Sequence, residues 1–347
     1  MNKLIENLFL AAILVLTLTG MAEAQTPKPA PTAKPQVPAP PSANTRRERT
    51  EPPMPAFTGG DRSERSLKVD PGVNLNLCIS QGSVKVNGWS RNELRVLVNN
   101  GVKFAMKVQE TNKRSGDPGL VTIDPVWTKN KFIGPANCIW GDEIEIDLPI
   151  NAVISIKSQE SSTTVDSVRK VSVNTSGGDV VLRNISGGAS IISNRGDITL
   201  EESQGDIDLR TTTGNILVFE AAPSEIGNIF KANTNSGSIA LQGLEFRQVD
   251  VNSISGSLAY TGNILNGGSY SFRTNRGSIK LAMPVTTACQ INATFRAGSF
   301  DSDIPFQMET ENLSPGSIKN VIGRMGKGGD AKVQLFTVNG SINIRKQ

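Results

Sequence analysis

The 347-residue chain contains no histidine. That removes the commonest general base and the commonest metal ligand together. Cysteine is scarce: Cys78, Cys138 and Cys289 are the three present, and no C-x-x-C spacing exists, which argues against a structural zinc site. The one sustained apolar run, Leu8 to Leu18, is too short for a comfortable transmembrane helix. The formal charge is +4, and residues 25–65 alone carry seven Lys/Arg against four Asp/Glu. The remainder is close to neutral and shows no nucleic-acid footprint. No catalytic residue, metal ligand or cofactor is expected from this inventory.

The N-terminus carries the signals of export. Lys3 lies in a short leading segment, the apolar run follows, and Ala22-Glu23-Ala24 offers an A-x-A cleavage site before Gln25. No cysteine follows the run, so a lipid anchor is not expected, and no stable membrane span remains after cleavage. Residues 25–65 read as a disordered linker. Ten of the nineteen prolines fall between Pro27 and Pro55, interleaved with Ala, Thr and Lys. Such a segment cannot bury a core and favours extended, polyproline-like conformations.

In an exported chain, three cysteines imply one bridge and one remaining thiol. In VNLNLCIS the apolar residues Val73, Leu75, Leu77 and Ile79 share one face, and Cys78 points the other way. Cys289 shares a face with Ile291, the core side of its strand. Cys78 is therefore paired with Cys138, and Cys289 is expected to be a buried thiol.

What is abundant is a phrase repeated eight times between Val171 and Ile344: apolar-x-apolar-x-(Thr/Ser)-x-x-Gly-(Asp/Asn/Ser)-apolar-x-apolar. Its glycines are Gly178, Gly196, Gly214, Gly237, Gly256, Gly277, Gly298 and Gly340. Spacings run from 18 to 23 residues until the last, which must contain an insertion. Period-two alternation on both sides of a glycine predicts two short strands joined by a tight corner. One such unit cannot bury its own apolar face, so the units must stack. The hydroxyl three before the glycine (Thr175, Ser193, Thr211, Thr234, Ser253, Thr274, Thr337) falls on the inward side and is expected to bond backbone groups freed by the bend. The short side chains just after the glycine should form local turn bonds.

The reading is an all-β fold: one parallel β-solenoid of about nine coils over residues 151–347. Residues 66–150 are read as an antiparallel strand cap protecting the N-terminal end. Residues 303–331 break the period and read as a long surface loop.

Three pieces of sequence carry a family resemblance: GSVKVNGWSRNELRV (Gly82 to Val96), EIDLPINAVISIKS (Glu145 to Ser158) and GKGGDAKVQLFTVNGSINI (Gly326 to Ile344). With the repeats between them, the chain resembles the bacterial "putative adhesin" family of unknown function, DUF4097-like, whose β-repeat fold is called a toast rack. The resemblance spans roughly residues 70–346. It implies an extracytoplasmic β-solenoid without established catalytic residues.

Several side chains compete for a functional role. Three residues after each glycine the side chain points outward, and Val181, Thr199, Leu217, Ala240 and Ala259 present small or apolar groups there, with Phe219 extending the strip. Lys280, Asp301 and Asn343 continue the ladder. Exposed apolar strips are contact surfaces unless something covers them. Arg195-Gly196-Asp197 spells an RGD tripeptide but occupies an ordinary repeat corner. Asp179 and Asp197 should stack one coil apart, yet the dense glycine-aspartate repeat of calcium-binding solenoids is absent. A hydrolase reading would require Glu201, Glu202, Asp206, Asp208 and Asp301 to converge in a cleft, whereas they scatter by coil and parity. Trp89, Trp127 and Trp140, with Phe132 nearby, are read as filling of the end cap.

The function expected is surface binding by an exported, non-enzymatic protein, in the periplasm, on the cell surface or released. The partner is an extracellular or envelope glycan or protein. The alternatives are a carbohydrate-active β-helix enzyme and an envelope-stress sensor or regulatory partner.

Overall fold

Each repeat phrase folds as its alternation dictates. In the computed structural model, Ala189–Arg195 and Ile198–Gln204 flank the Gly196 corner, and Ile207–Thr213 and Ile216–Ala222 flank Gly214. Residues 62–109, 119–126, 138–312, 317–327 and 329–347 are described. The export segment, the linker up to residue 61, Trp127 and Phe132 lie outside them.

Strands before the corners pair in parallel with one another, coil upon coil, and so do strands after the corners. Two long strands, Asn74–Trp89 and Val153–Asp166, run through their corners and join both faces into one sheet. The inward positions are buried throughout: Ile198, Ile216, Ile239, Leu258, Ile279 and Ile342 form one apolar column, each no more than 2% exposed. Between Phe230 and Phe272 the interior is filled by rings, with Tyr260 lying 5.4 Å from Phe272 and Phe230 5.7 Å from Phe246.

The stacking order departs from chain order at both ends. Strands Ala331–Asn339 and Ile342–Lys346 lie between the Gly277 coil and the Gly298 coil, pairing in parallel with both. At the other end Asn74–Trp89 lies between Val153–Asp166 and a layer made of Leu120–Pro125 and Ile139–Pro149. The N-terminal segment therefore supplies parallel layers as well as a cap. Its antiparallel members are Glu93–Asn99, Ser63–Lys68 and Phe104–Gln109. Ser63–Lys68 begins inside the stretch read as linker, because Leu67 pairs with the buried Leu94.

The expected loop at 303–331 is largely sheet. Phe306–Asn312 and Lys319–Met325 form an antiparallel pair laid on Cys289–Ala297. The reason is the open edge of the Gly298 coil, whose unpaired backbone groups need partners. Val321 and Met325 turn inward and are buried.

A second corner closes five successive coils, and it was not expected. Ser167, Asn184, Glu202 and Glu220 stand one above another by register, each with positive φ between 46° and 59°, and Gly243 continues the column at 70°. Beyond this corner a short third side turns Ile185, Ser203, Ala221 and Leu244 into the core. Left-handed backbone costs a residue with a β-carbon about 1–2 kcal/mol, and glycine gives back part of that gain through unfolded-chain entropy. Glu202→Gly should therefore stabilise the protein by about 0.5 kcal/mol in urea denaturation. A loss of similar size would show that Glu202 does more than turn the chain.

Candidate functional site

The glycine corner is a close-packed column. A β-carbon on Gly237 would overlap the carbonyl oxygen of Gly214, one on Gly256 that of Gly237, and one on Gly340 that of Gly277. The inward hydroxyls bond those same carbonyls. Thr234 Oγ1 donates to Gly214 O at 3.0 Å, Ser253 Oγ to Gly237 O at 3.0 Å, and Thr337 Oγ1 to Gly277 O at 2.9 Å.

The short side chains after the glycines bond between coils rather than within their own turn. Asp179 Oδ1 accepts from the Asp197 amide at 2.8 Å, Asp197 Oδ1 from the Asn215 amide at 2.7 Å, and Asn215 Oδ1 from the Ser238 amide at 3.0 Å. The Asp179/Asp197 pair is thus a rung of the scaffold. The acid of the RGD tripeptide is committed to this rung, and its Arg195 lies 3.4 Å from Glu160 on the exposed surface.

The carboxylates of the hydrolase reading have separate partners. Glu201 accepts from Arg183 at 2.7 Å, Asp208 from Arg210 at 2.7 Å, and Asp206 from the Ile229 amide at 2.9 Å. Asp301 accepts from Arg345 at 2.8 Å. Glu202 occupies the second corner and is exposed. Among the described residues no group of three or more His, Cys, Asp or Glu could hold a metal ion.

Cys78 and Cys138 are disulfide-bonded, with Cα atoms 4.5 Å apart. Cys289 is free and buried, and burial pushes its thiol up to about 11. Trp89 is half-buried: its Nε1 donates to the Glu93 carbonyl at 2.8 Å, and Arg91 stacks on the ring at 5.1 Å. Trp140 is likewise half-buried, at the N-terminal layer.

The outward ladder is contiguous. Register places Val181 beside Thr199, Thr199 beside Leu217, Leu217 beside Ala240 and Ala240 beside Ala259. Four of these are half-buried and Ala259 is exposed. Phe219 lies two residues beyond Leu217 on the same face, 39% exposed, between Glu201 and Gln242. The strands Phe306–Asn312 and Lys319–Met325 do not cover this strip, since they extend the opposite face past the last coil.

Sequence reasoning missed a recess of about 470 Å³ beside that strip, lined by Gln242, Glu245, Thr261 and Asn263 over Gly243 and Gly262. It opens where the second-corner column changes from Glu220 to glycine on two successive coils. The glycines in LQGLEF and YTGNIL were its signal. A second, shallower groove of about 600 Å³ runs along the glycine corner between Gly82 and Gly196.

The sequence matches the model of the Toastrack family, DUF4097, over residues 79–345. Two solved structures are similar. One is a "putative cell adhesion protein" from Clostridium sporogenes, 12% identical, covering 83% of this chain and all of its own, with a TM-score of 0.24. The other is a "putative adhesin" from Bacteroides fragilis, 14% identical, covering 82% of this chain and 97% of its own, with a TM-score of 0.35. No curated protein matches the sequence.

Proposed function

The chain belongs to the Toastrack family, DUF4097, and from that premise we propose that it is an exported, non-enzymatic protein that holds a glycan along its outward strip. The observation that carries the reading is the strip itself: five register neighbours, Val181 to Ala259, carry groups without charge, and Phe219 flanks them. Strands about 4.8 Å apart offer one similar contact per coil, which suits a ligand that also repeats. Small side chains let the ligand approach the sheet, and an exposed ring beside them supplies apolar area at low entropic cost.

Two features support export. The N-terminal apolar run precedes a cleavage-type Ala-Glu-Ala, and a disulfide persists in oxidising compartments. The scattered pairing of the carboxylates supports a binding role over hydrolysis, because acid–base catalysis needs two such groups held in one cleft. An envelope protein as partner is the competing outcome.

The test is retention of the purified protein on an array of bacterial and host glycans beside matrix proteins. Dose-dependent binding to glycans is expected. Retention on protein spots alone would overturn the glycan assignment.

A further inference from the structure

We propose that the recess at Gly243 and Gly262 is a subsite for an uncharged sugar residue, a refinement that rests on the glycan-binding reading above. Its origin is a change in the second-corner column. Coils with Asn184, Glu202 and Glu220 carry exposed side chains at that corner, and the next two coils carry glycine there. The resulting space of about 470 Å³ falls within the range of small-ligand sites, about 300–1,000 Å³.

The lining chemistry selects the ligand. Gln242, Asn263 and Gln347 bring amides, Thr261 a hydroxyl and Glu245 a carboxylate, Leu244 and Pro284 add apolar surface, and no cation is among the lining residues. Adjacent sugar hydroxyls each donate and accept, and that mixture matches amide and carboxylate groups. A uronate or phosphate would face Glu245 without a counter-charge. Elsewhere on this scaffold the short polar side chains bond the next coil, as Asp197 and Asn215 do. The side chains of Gln242, Thr261, Asn263 and Glu245 hold no hydrogen bond or ion pair among the described residues, and Gln242, Glu245 and Asn263 are exposed, so their donors and acceptors are open to a ligand at the recess.

The rim is fixed from behind. The buried Tyr260 hydroxyl donates to the Asn263 carbonyl at 2.6 Å, and the Gly262 amide donates to Ala282 O at 3.1 Å. Such preorganisation limits the ordering cost of binding. The recess is also continuous with the strip. Gln242 follows Ala240 by two residues, Thr261 follows Ala259 by two, and Phe219 is the register neighbour of Gln242. A glycan lying on the strip can place one unit in the recess and a neighbouring unit beside Phe219.

The experiment is calorimetric titration of the purified protein with cellotetraose, mannotetraose, chitotetraose and tetragalacturonate. Saturable binding of at least one uncharged probe is expected, with none for tetragalacturonate. Gln242→Ala and Gly243→Asn should each weaken it tenfold or more. Gln242 is exposed, so Gln242→Ala should keep the wild-type melting curve. Gly243→Asn places at this corner a residue the Asn184 coil already carries there, and should melt slightly earlier but with wild-type cooperativity. Undiminished binding in both variants, with binding lost on Leu217→Lys, would overturn the recess and leave the strip standing. Preference for tetragalacturonate would overturn the ligand class. No heat with any probe would overturn the recess and the glycan reading together.

Discussion

Gly237→Ala is expected to destabilise the protein by about 3 kcal/mol, from overpacking of about 1–3 kcal/mol plus the cost of a β-carbon at positive φ. Gly237 has φ of 153°, and its missing β-carbon is the space occupied by the Gly214 carbonyl. That carbonyl also accepts from Thr234. It cannot move aside without breaking that bond, so the neighbouring coil must shift. Ser236→Ala, one residue earlier on the exposed side of the corner, should change stability by less than about 0.5 kcal/mol. Urea denaturation of the two variants checks the contrast. Equal midpoints would mean that the corner column tolerates side chains and that the repeat glycine has some other cause.

Loss of the disulfide should have an effect of comparable size. Cys78 and Cys138 are 60 residues apart, and closing a loop of that length restricts the unfolded chain by about 4 kcal/mol in the chain-entropy account. The bridge joins strand Asn74–Trp89 to the start of the segment that forms the layer beneath it. The double variant Cys78→Ser/Cys138→Ser should therefore lose stability by about 3–4 kcal/mol, with amide exchange rising first in those N-terminal layers. Exchange rising first around Gly237 would place the bridge's effect elsewhere. Cys289, buried with its thiol pushed up to about 11, should react with thiol reagents at pH 7.5 only after unfolding.

The strand–corner–strand unit was legible because each position has a local cause. Inward Thr or Ser, the corner glycine and the short polar residue after it all recur for reasons of packing and bonding within one or two coils. The parity of Cys78 and Cys289 followed from the same alternation. Coil order was not legible. The phrase ending at Ile344 pairs equally well in pattern with the Gly277 and Gly298 phrases, and a local repeat carries no address. Only the long gap before Gly340 hinted that the chain returns. Phe306–Asn312 escaped notice because it fits no repeat phrase, and its short alternation through Phe306 and Met308 gives way to an exposed polar end. The second corner was silent because Asn184, Glu202 and Glu220 are ordinary residues in left-handed backbone. Of the candidate site, the outward strip could be read from parity alone. The recess beside it needed the register that sets Gly243 and Gly262 one coil apart.

The most direct test of the account is a binding curve for wild type and Leu217→Lys on the best-retained glycan from the array. Leu217 is half-buried at the middle of the outward strip, and its side chain contributes nothing to the core columns. The variant should melt with wild-type cooperativity and bind at least tenfold more weakly, because an ammonium group placed on the strip must be desolvated for the ligand to dock. Wild-type affinity in a correctly folded Leu217→Lys protein would contradict the assignment of this face as the binding surface.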